Sequence, residues 1–211
     1  MKLRDFKKAQ DSDKKCYLTT RGFTLVELAI VLVIIGILLL IILKGSSLIE
    51  NAKIKRLSTL TREITAAFYT YYDRYSNRFP GDDNTASSRW TGSVDGNANG
   101  LIEGNFVFNC TGSETINQES CNAWSHLRLA GIITGSGRLN PPHPYGGSIS
   151  VAYGTVNGIS VNWIAFNNIP RDVARTIDMQ NDDGTYNTGT IQADGDYNNT
   201  LISIVTLYVK L

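Results

Sequence analysis

The sequence has few of the side chains from which enzyme active sites are usually built. Its 211 residues include two histidines, His126 and His143, and three cysteines. The histidines lack the His-x-x-x-His or Cys/His spacings typical of metal centres, and no Gly-x-Ser-x-Gly segment indicates a serine nucleophile. We interpret His126 as a surface or capping residue of a short helix. Because no catalytic constellation is visible, we expect that the protein is not an enzyme.

An excess of positive charge is lacking outside the first 22 residues. Residues 1–22 carry seven Lys or Arg against three Asp, a net charge of +4. The whole chain nets +1, so the remainder nets −3. Nucleic-acid-binding domains usually present a basic patch. The acidic remainder therefore argues against a nucleic-acid partner.

Charge is almost absent from one long apolar run. Phe23 to Leu43 contains a single charged residue, Glu27, and about 20 apolar residues suffice to span a bilayer. The basic flank predicts that the N-terminus stays in the cytoplasm and that residues after about Lys44 lie outside. A secretory signal, which usually has a shorter apolar region, and a plain uncleaved anchor are alternatives. Neither explains Glu27, because a carboxylate near a membrane is costly and is usually functional or paired.

The junction Arg21-Gly-Phe-Thr-Leu-Val-Glu27 resembles the processing site of type IV prepilins and pseudopilins. In that family a dedicated peptidase cuts after the glycine, here Gly22, and methylates the new N-terminus, here Phe23. The resemblance implies that residues 1–22 are a cytoplasmic leader, removed by prepilin peptidase.

The same resemblance implies a role in assembly for residues 23–45, the predicted transmembrane helix. In filaments of this family the acid that matches Glu27 is thought to meet the terminal amine of a neighbouring subunit. Opposite charges attract far more strongly in a low-dielectric environment than in water, so the pair can act as a register check. Pairing within one chain and an incidental acid at headgroup level are the alternatives.

The positions of the cysteines are consistent with export of the residues after about Lys44. Cys16 lies in the leader, which leaves Cys110 and Cys121 in the exported region. An oxidising compartment favours a disulfide between them. Two free thiols are the alternative.

The helix is predicted to continue past the apolar run as an amphipathic segment, residues 46–80, that ends at Pro80-Gly81. Apolar residues recur there at spacings of three and four: Ile54, Leu57, Leu60, Ile64, Phe68, Tyr71, Tyr72, Tyr75 and Phe79.

Residues 81–211 are predicted to form a globular α+β head. A glycine-rich loop region comes first, and a short helix is expected over residues 118–131. Alternating residues indicate strands at 148–153 and 159–163, and Asn157-Gly158 between them is a hairpin signal. Another short helix follows at 170–177, and a strand ends the chain. We expect an antiparallel sheet that packs on the apolar stripe of the long helix.

One loop of the head is a candidate calcium site. Asp95, Asn97 and Asn99 offer oxygen on alternate residues before Gly100, as at the start of an EF-hand loop, and Leu101 would add its carbonyl. The final bidentate Glu is missing, so Glu103, Asp82 or Asp83 would have to replace it. A turn in which the Asn side chains cap their own backbone is the alternative.

A second acidic loop contains Asp178, Asp182 and Asp183. Major pseudopilins of type II secretion carry a Ca²⁺-binding loop late in the head, but the residues here do not match that loop one by one. A solvated turn is the alternative.

The resemblance implies a structural subunit, a pseudopilin or minor pilin, of a type IV pilus-like filament for type II secretion or pilus biogenesis. Its expected place is the bacterial inner membrane, as a single-pass protein with a periplasmic head. The implied partners are other pilin-like subunits, the prepilin peptidase and methyltransferase, and membrane lipid. Glu27 argues against the tip subunit of type II secretion, which lacks this acid. The mid-chain Cys110 and Cys121 argue against a major type IV pilin, which often has a disulfide-closed loop at its C-terminus. The alternative is a membrane-anchored periplasmic sugar- or calcium-binding module that never assembles.

Overall fold

The computed structural model describes residues 22–112 and 118–211, without the side chain of Leu43. The predicted leader up to Arg21, with Cys16, lies outside the described residues. The chain divides into two compact units, residues 1–46 and 47–211. The elements are α1 (Leu25–Arg74), α2 (Ala86–Arg89), α3 (Glu119–Leu129), β1 (Ile149–Val156), β2 (Ile159–Pro170), α4 (Arg171–Asn181), β3 (Ile191–Ala193) and β4 (Ile204–Lys210).

The first unit contains the apolar part of α1. Its leucine, isoleucine and valine side chains from Leu25 to Ile42 are exposed. Among the described residues α1 is the one helix long and apolar enough to cross a membrane, by length and composition. A helix that is apolar on every side is suited to a lipid environment or to packing against other helices.

The end of α1 differs from the sequence prediction. The apolar spacing predicts a helix up to Phe79, but α1 ends at Arg74. Ser76 and Asn77 both adopt positive φ, 57° and 59°, a left-handed conformation that ends helices. Phe79 still contacts the helix, with its ring 4.8 Å from that of Tyr72. The apolar spacing therefore continues into a turn that folds back on the helix.

The sheet of the head has four strands in the order β1-β2-β4-β3, and every pairing is antiparallel. The predicted hairpin is present: Asn157 and Gly158 join β1 to β2 with φ of 44° and 85°. Two positive φ angles fit the type I′ turn that suits the strand twist. The α+β fold class is confirmed, whereas α2 and β3 were not expected from the sequence.

Both faces of the sheet are covered. On one face, Ile164 and Phe166 join a core that includes the predicted stripe of α1 and the buried side of α3. Phe68 of α1 meets Trp124 of α3 edge to face, with ring centroids 6.0 Å apart. On the other face the Trp163 ring lies 6.4 Å from that of Tyr208. The aromatic residues of the head thus build its core.

The expected disulfide is present in the structure. Cys110 and Cys121 are bonded, with Cα atoms 5.6 Å apart, and it closes a loop with a sequence separation of 11. Cys121 lies on α3, so the bond attaches the glycine-rich loop region to a buried helix.

We predict that replacing Cys110 and Cys121 together by alanine lowers the free energy of unfolding of a soluble fragment, residues 47–211, by about 3 kcal/mol. This value follows from the loop-closure entropy of a short loop. Urea denaturation of the oxidised fragment and the double variant measures the difference. Reduced wild type serves as the control and should match the variant. Equal midpoints for oxidised wild type and variant would contradict the prediction.

Candidate functional sites

The start of α1 carries a reciprocal set of hydrogen bonds between Thr24 and Glu27. The Glu27 carboxylate accepts from the Thr24 amide at 2.8 Å and from its hydroxyl at 2.9 Å. In return the Glu27 amide donates to the Thr24 hydroxyl at 3.2 Å. This is a capping box, which satisfies backbone groups that the first helical turn leaves unpaired. The Thr-x-x-Glu spacing was a signal of it that our sequence analysis did not use.

The predicted processing bond lies immediately before this cap. Gly22 and Phe23 precede the first helical residue, and both are exposed, with Phe23 80% accessible. A bond outside regular structure can enter a peptidase active site without unwinding a helix. The structure therefore leaves the Gly22–Phe23 bond open to cleavage.

The Asp95 loop is held by hydrogen bonds to its own backbone and to distant acids. Asn97 and Asn99 each accept, through the side-chain oxygen, from the amide two residues ahead, at 3.0 and 2.8 Å. Asp95 instead accepts from the amide and hydroxyl of Ser87, at 2.7 and 2.6 Å. Calcium binding by this loop stays a prediction.

Two buried carboxylates complete the loop. Asp82 accepts from the amides of Asn99 and Gly100, at 3.0 and 2.8 Å. Glu119, the first residue of α3, accepts from the amides of Asn97 and Glu103, each at 3.0 Å. Four backbone amides of the loop are thus paired with two carboxylates. No local pattern in the sequence indicates that Glu119 holds this loop.

The setting of Glu119 disfavours its charge. Its pKa is raised to about 7, because burial and, to a lesser extent, the nearby carboxylates of Asp82 and Glu103 outweigh the lowering effect of the two amides. Burial also raises the pKa of Asp82. The buried carboxylates of Asp82 and Glu119 and the exposed carboxylate of Glu103 are thus close together around the loop.

His126 is a correction to the sequence analysis, because it is buried rather than at the surface. Its Nδ1 accepts from the Gly81 amide at 2.9 Å, and its Nε2 lies 2.9 Å from the Val94 carbonyl oxygen. This arrangement requires a neutral ring with the proton on Nε2. Burial lowers the pKa of His126 accordingly. The residue joins the turn after α1 to the Asp95 loop, which is a structural role.

Asp83 anchors a second buried network at the same turn. The Tyr71 hydroxyl donates to its carboxylate at 2.7 Å, and Arg89 forms an ion pair with it. Hydrogen bonds from Tyr71 and Thr85, with the Arg89 charge, outweigh burial and hold the Asp83 pKa below its usual range. Because its carboxylate is already paired within the protein, Asp83 is not available to bind a ligand.

The second acidic loop begins later than the sequence predicts, because α4 extends to Asn181 and includes Asp178. Asp178, Asp182 and Asp183 place one carboxylate oxygen each within 4.8 Å of the others, and this is the one such group of acids, histidines or cysteines among the described residues. The pKa of Asp178 is raised to about 6, because burial and the two neighbouring carboxylates outweigh the hydrogen bonds from Tyr197 and Gly184. Each acid also accepts hydrogen bonds from protein groups. Calcium binding here stays a prediction.

These features define a class of protein: a helix able to cross a membrane, followed by a small α+β head without a visible catalytic centre among its described residues. The family model for the prokaryotic N-terminal methylation motif matches residues 19–43. This motif is the hallmark of type IV pilin and pseudopilin prepilin-like proteins, and the chain carries it over these residues. No curated protein and no solved structure is significantly similar to the chain.

We predict that Glu119 makes the stability of the head fall as pH rises from about 4.5 to about 7. In this window the folded protein keeps a proton on Glu119 that the unfolded chain has released, so the free energy of unfolding decreases with pH. The loss should be about 1–3 kcal/mol. Urea denaturation of residues 47–211 between pH 4.5 and 8 measures it.

Glu119→Gln is the control for this prediction. The variant cannot titrate at this position. Burial lowers the pKa values of His126 and His143, which makes stability rise with pH, but this effect is common to both proteins. The difference in stability between wild type and variant should therefore change with pH. A difference that is constant from pH 4.5 to 8 would show that Glu119 has an ordinary pKa.

We predict that millimolar Ca²⁺ raises the melting temperature of the same fragment. Extracellular modules bind Ca²⁺ with Kd near 10⁻⁴–10⁻³ M, so about 1 mM Ca²⁺, roughly one to ten times Kd, should add about 0.4–1.4 kcal/mol. Asp95→Ala and Asp182→Ala, measured with Ca²⁺ and with EDTA, assign the effect to one loop or the other. Identical curves with and without Ca²⁺ would leave both loops as self-capped turns.

Proposed function

We propose that the protein is a pseudopilin or minor pilin, a structural subunit of a type IV pilus-like filament that serves type II secretion or pilus biogenesis. The observation that carries the proposal is the methylation motif over residues 19–43, which lies on the exposed apolar part of α1; Glu27, in the first turn, is the one acid of this apolar part. An ordinary anchor needs neither the motif nor the acid.

In this proposal the prepilin peptidase removes residues 1–22 and methylates the amine of Phe23. Before cleavage the basic leader keeps the N-terminus in the cytoplasm. After it, a cationic amine stands one residue before Thr24, at the start of the cap. The head, residues 47–211, then lies in the periplasm.

We propose that Glu27 changes its partner on assembly, from Thr24 of its own chain to the amine of a neighbouring chain. In a single chain, the carboxylate is satisfied by Thr24, so it can enter the membrane without an opposite charge. Packed among apolar helices, the same carboxylate attracts the amine of a neighbouring chain in a medium of low dielectric. A misplaced neighbour would leave that charge unpaired, which costs several kcal/mol. The acid thus selects the correct register.

A second candidate function is an anchored, non-assembling module that binds Ca²⁺. The acid cluster of the second loop favours it. Such a module would need its head and a membrane anchor, but not Glu27. Dependence of assembly on Glu27 therefore distinguishes the two functions.

We predict that the mature protein begins at Phe23 and carries an N-methyl group. The exposed, non-helical Gly22–Phe23 bond and the matched motif support this cut. Mass spectrometry of the intact membrane protein determines the N-terminus, and Gly22→Val serves as an uncleavable control. An intact Met1, or a cut after Ser46, would contradict the proposal.

We predict that Glu27→Ala and Glu27→Gln both insert into the membrane and both fail to enter filaments. Glutamine keeps the capping box with Thr24 but carries no charge, so it separates the local cap from pairing between chains. Leaving the neighbour's amine buried without its partner should cost about 3–5 kcal/mol, more than a hundredfold in incorporation. Crosslinking and sheared filament fractions measure incorporation.

If Glu27→Gln assembled normally while Glu27→Ala did not, the acid would act only as a cap. Normal assembly of both variants would remove Glu27 from assembly altogether.

A further inference from the structure

The segment that connects β3 to β4 contains an acceptor sequence for N-linked glycans. Asn198, Asn199 and Thr200 follow the order Asn-x-Ser/Thr with a middle residue other than proline. This order marks the asparagines that oligosaccharyltransferases modify in exported proteins. The motif is short and arises easily by chance, so its place in the fold decides whether it can be used.

The two side chains that a transferase needs are exposed and have no competing partner. Asn198 and Thr200 both lie in turns at the surface. Within residues 22–112 and 118–211, neither the side-chain amide of Asn198 nor the hydroxyl of Thr200 makes a hydrogen bond. The amide is the acceptor and the hydroxyl is the other fixed part of the motif. An enzyme can therefore reach both groups without breaking a side-chain contact.

The turn itself is built by the residues on either side of Asn198. The Asp196 carboxylate accepts from the Asn198 backbone amide at 2.8 Å, and the side-chain oxygen of Asn199 accepts from the Leu201 amide at 3.0 Å. Nη1 of Arg171 donates to the Asn199 carbonyl at 2.8 Å. Such local hydrogen bonds are typical of Asx turns. Of the two adjacent asparagines, Asn199 thus stabilises the turn, whereas the side chain of Asn198 has no role in it.

A second copy of the motif provides an internal comparison. Asn109, Cys110 and Thr111 have the same order, but Cys110 is buried and disulfide-bonded to α3. The Cys110 amide also donates to the Asn140 side chain at 2.8 Å. A segment attached to the core in this way cannot enter an enzyme groove without local unfolding, which costs free energy. The structure therefore favours Asn198 over Asn109.

The two motifs also differ in charge two residues before the asparagine. Asp196 precedes Asn198 at this position, whereas Val107 precedes Asn109. A charge next to the acceptor gives an enzyme a further group to recognise, because complementary charges contribute to specificity. Exposure, free side chains and local charge thus all distinguish Asn198.

We propose that Asn198 is an acceptor site for an N-linked oligosaccharide, transferred from a lipid diphosphate-linked donor after export of the head. A bond forms between Asn198 Nδ2 and the anomeric carbon of the first sugar, and the bond from that carbon to the diphosphate oxygen breaks. The lipid diphosphate leaves with the electron pair, one Nδ2 proton passes to a base of the transferase, and nothing is oxidised or reduced. The inference rests on the periplasmic head of the proposed function. It adds a bulky, solubilising group three residues before Leu201, which is 92% exposed.

The test uses the full chain, expressed in a bacterial strain that has a periplasmic oligosaccharyltransferase and its lipid-linked donor. A flexible tail after Leu211 carries a copy of residues 196–200, which reports both export and enzyme activity. Mass spectrometry of peptides from the membrane protein should find one glycan on Asn198 and one on the tail, and none on Asn109. An isogenic strain with an inactive transferase should give unmodified protein.

Three variants make the assignment specific. Asn198→Gln removes the acceptor, and Thr200→Val removes the hydroxyl at nearly the same side-chain size. Each should abolish the glycan of the head and leave that of the tail. Asn109→Gln, the matched change in the second motif, should leave both glycans in place. Thiol labelling that finds neither Cys110 nor Cys121 free establishes that each variant is folded.

The tail separates failure of this inference from failure of the proposed function. A glycan on the tail with none on Asn198, or transfer to Asn109 instead, would overturn the inference and leave the periplasmic head in place. An unmodified head and an unmodified tail, in cells that modify another exported acceptor protein, would show that the head is not exported. That result would overturn the inference and contradict the proposed function as well.

Discussion

The structure depends on one constraint, which is that a single helix must satisfy two different solvents. Up to Ile42, α1 is apolar on every side and its side chains are exposed. From Leu57 to Tyr71 it buries only one stripe in the core of the head. A helix can meet both demands because its backbone hydrogen bonds are internal whatever surrounds it. The charge of Glu27 remains unfavourable in an apolar environment. Thr24 lowers this cost, because its amide and its hydroxyl both donate hydrogen bonds to the Glu27 carboxylate.

In the head, buried carboxylates are stabilised by hydrogen bonds from the protein itself, several of them from backbone amides. Asp82 and Glu119 stay buried because each accepts two loop amides. Asp83 is buried against Tyr71 and Arg89. In each case donors from distant segments meet one acid, so the acids fix the path of a loop that has little regular structure. The pKa of Glu119 is raised by this burial and by the nearby carboxylates of Asp82 and Glu103.

Much of the fold could be predicted because its signals are local. The apolar run, the three-and-four spacing of α1 and the Asn157-Gly158 turn each lie within a few residues. The end of α1 was missed because Phe79 continues the apolar spacing after Ser76 and Asn77 have ended the helix. The role of Glu119 was missed because its partners belong to another segment of the chain.

The account stands on the claim that Glu27 pairs with the processed N-terminus of a neighbouring chain. The most direct measurement is zero-length crosslinking of assembled protein in membranes with an apolar carbodiimide, using chains mixed from light and heavy nitrogen populations. The account predicts a peptide in which the Glu27 carboxylate is joined to the mature amine of another chain, either a second copy with the opposite label or a different pilin-like subunit. Crosslinks only between Glu27 and the Phe23 amine of the same chain, or a Glu27 that remains unlinked in assembled material, would contradict it.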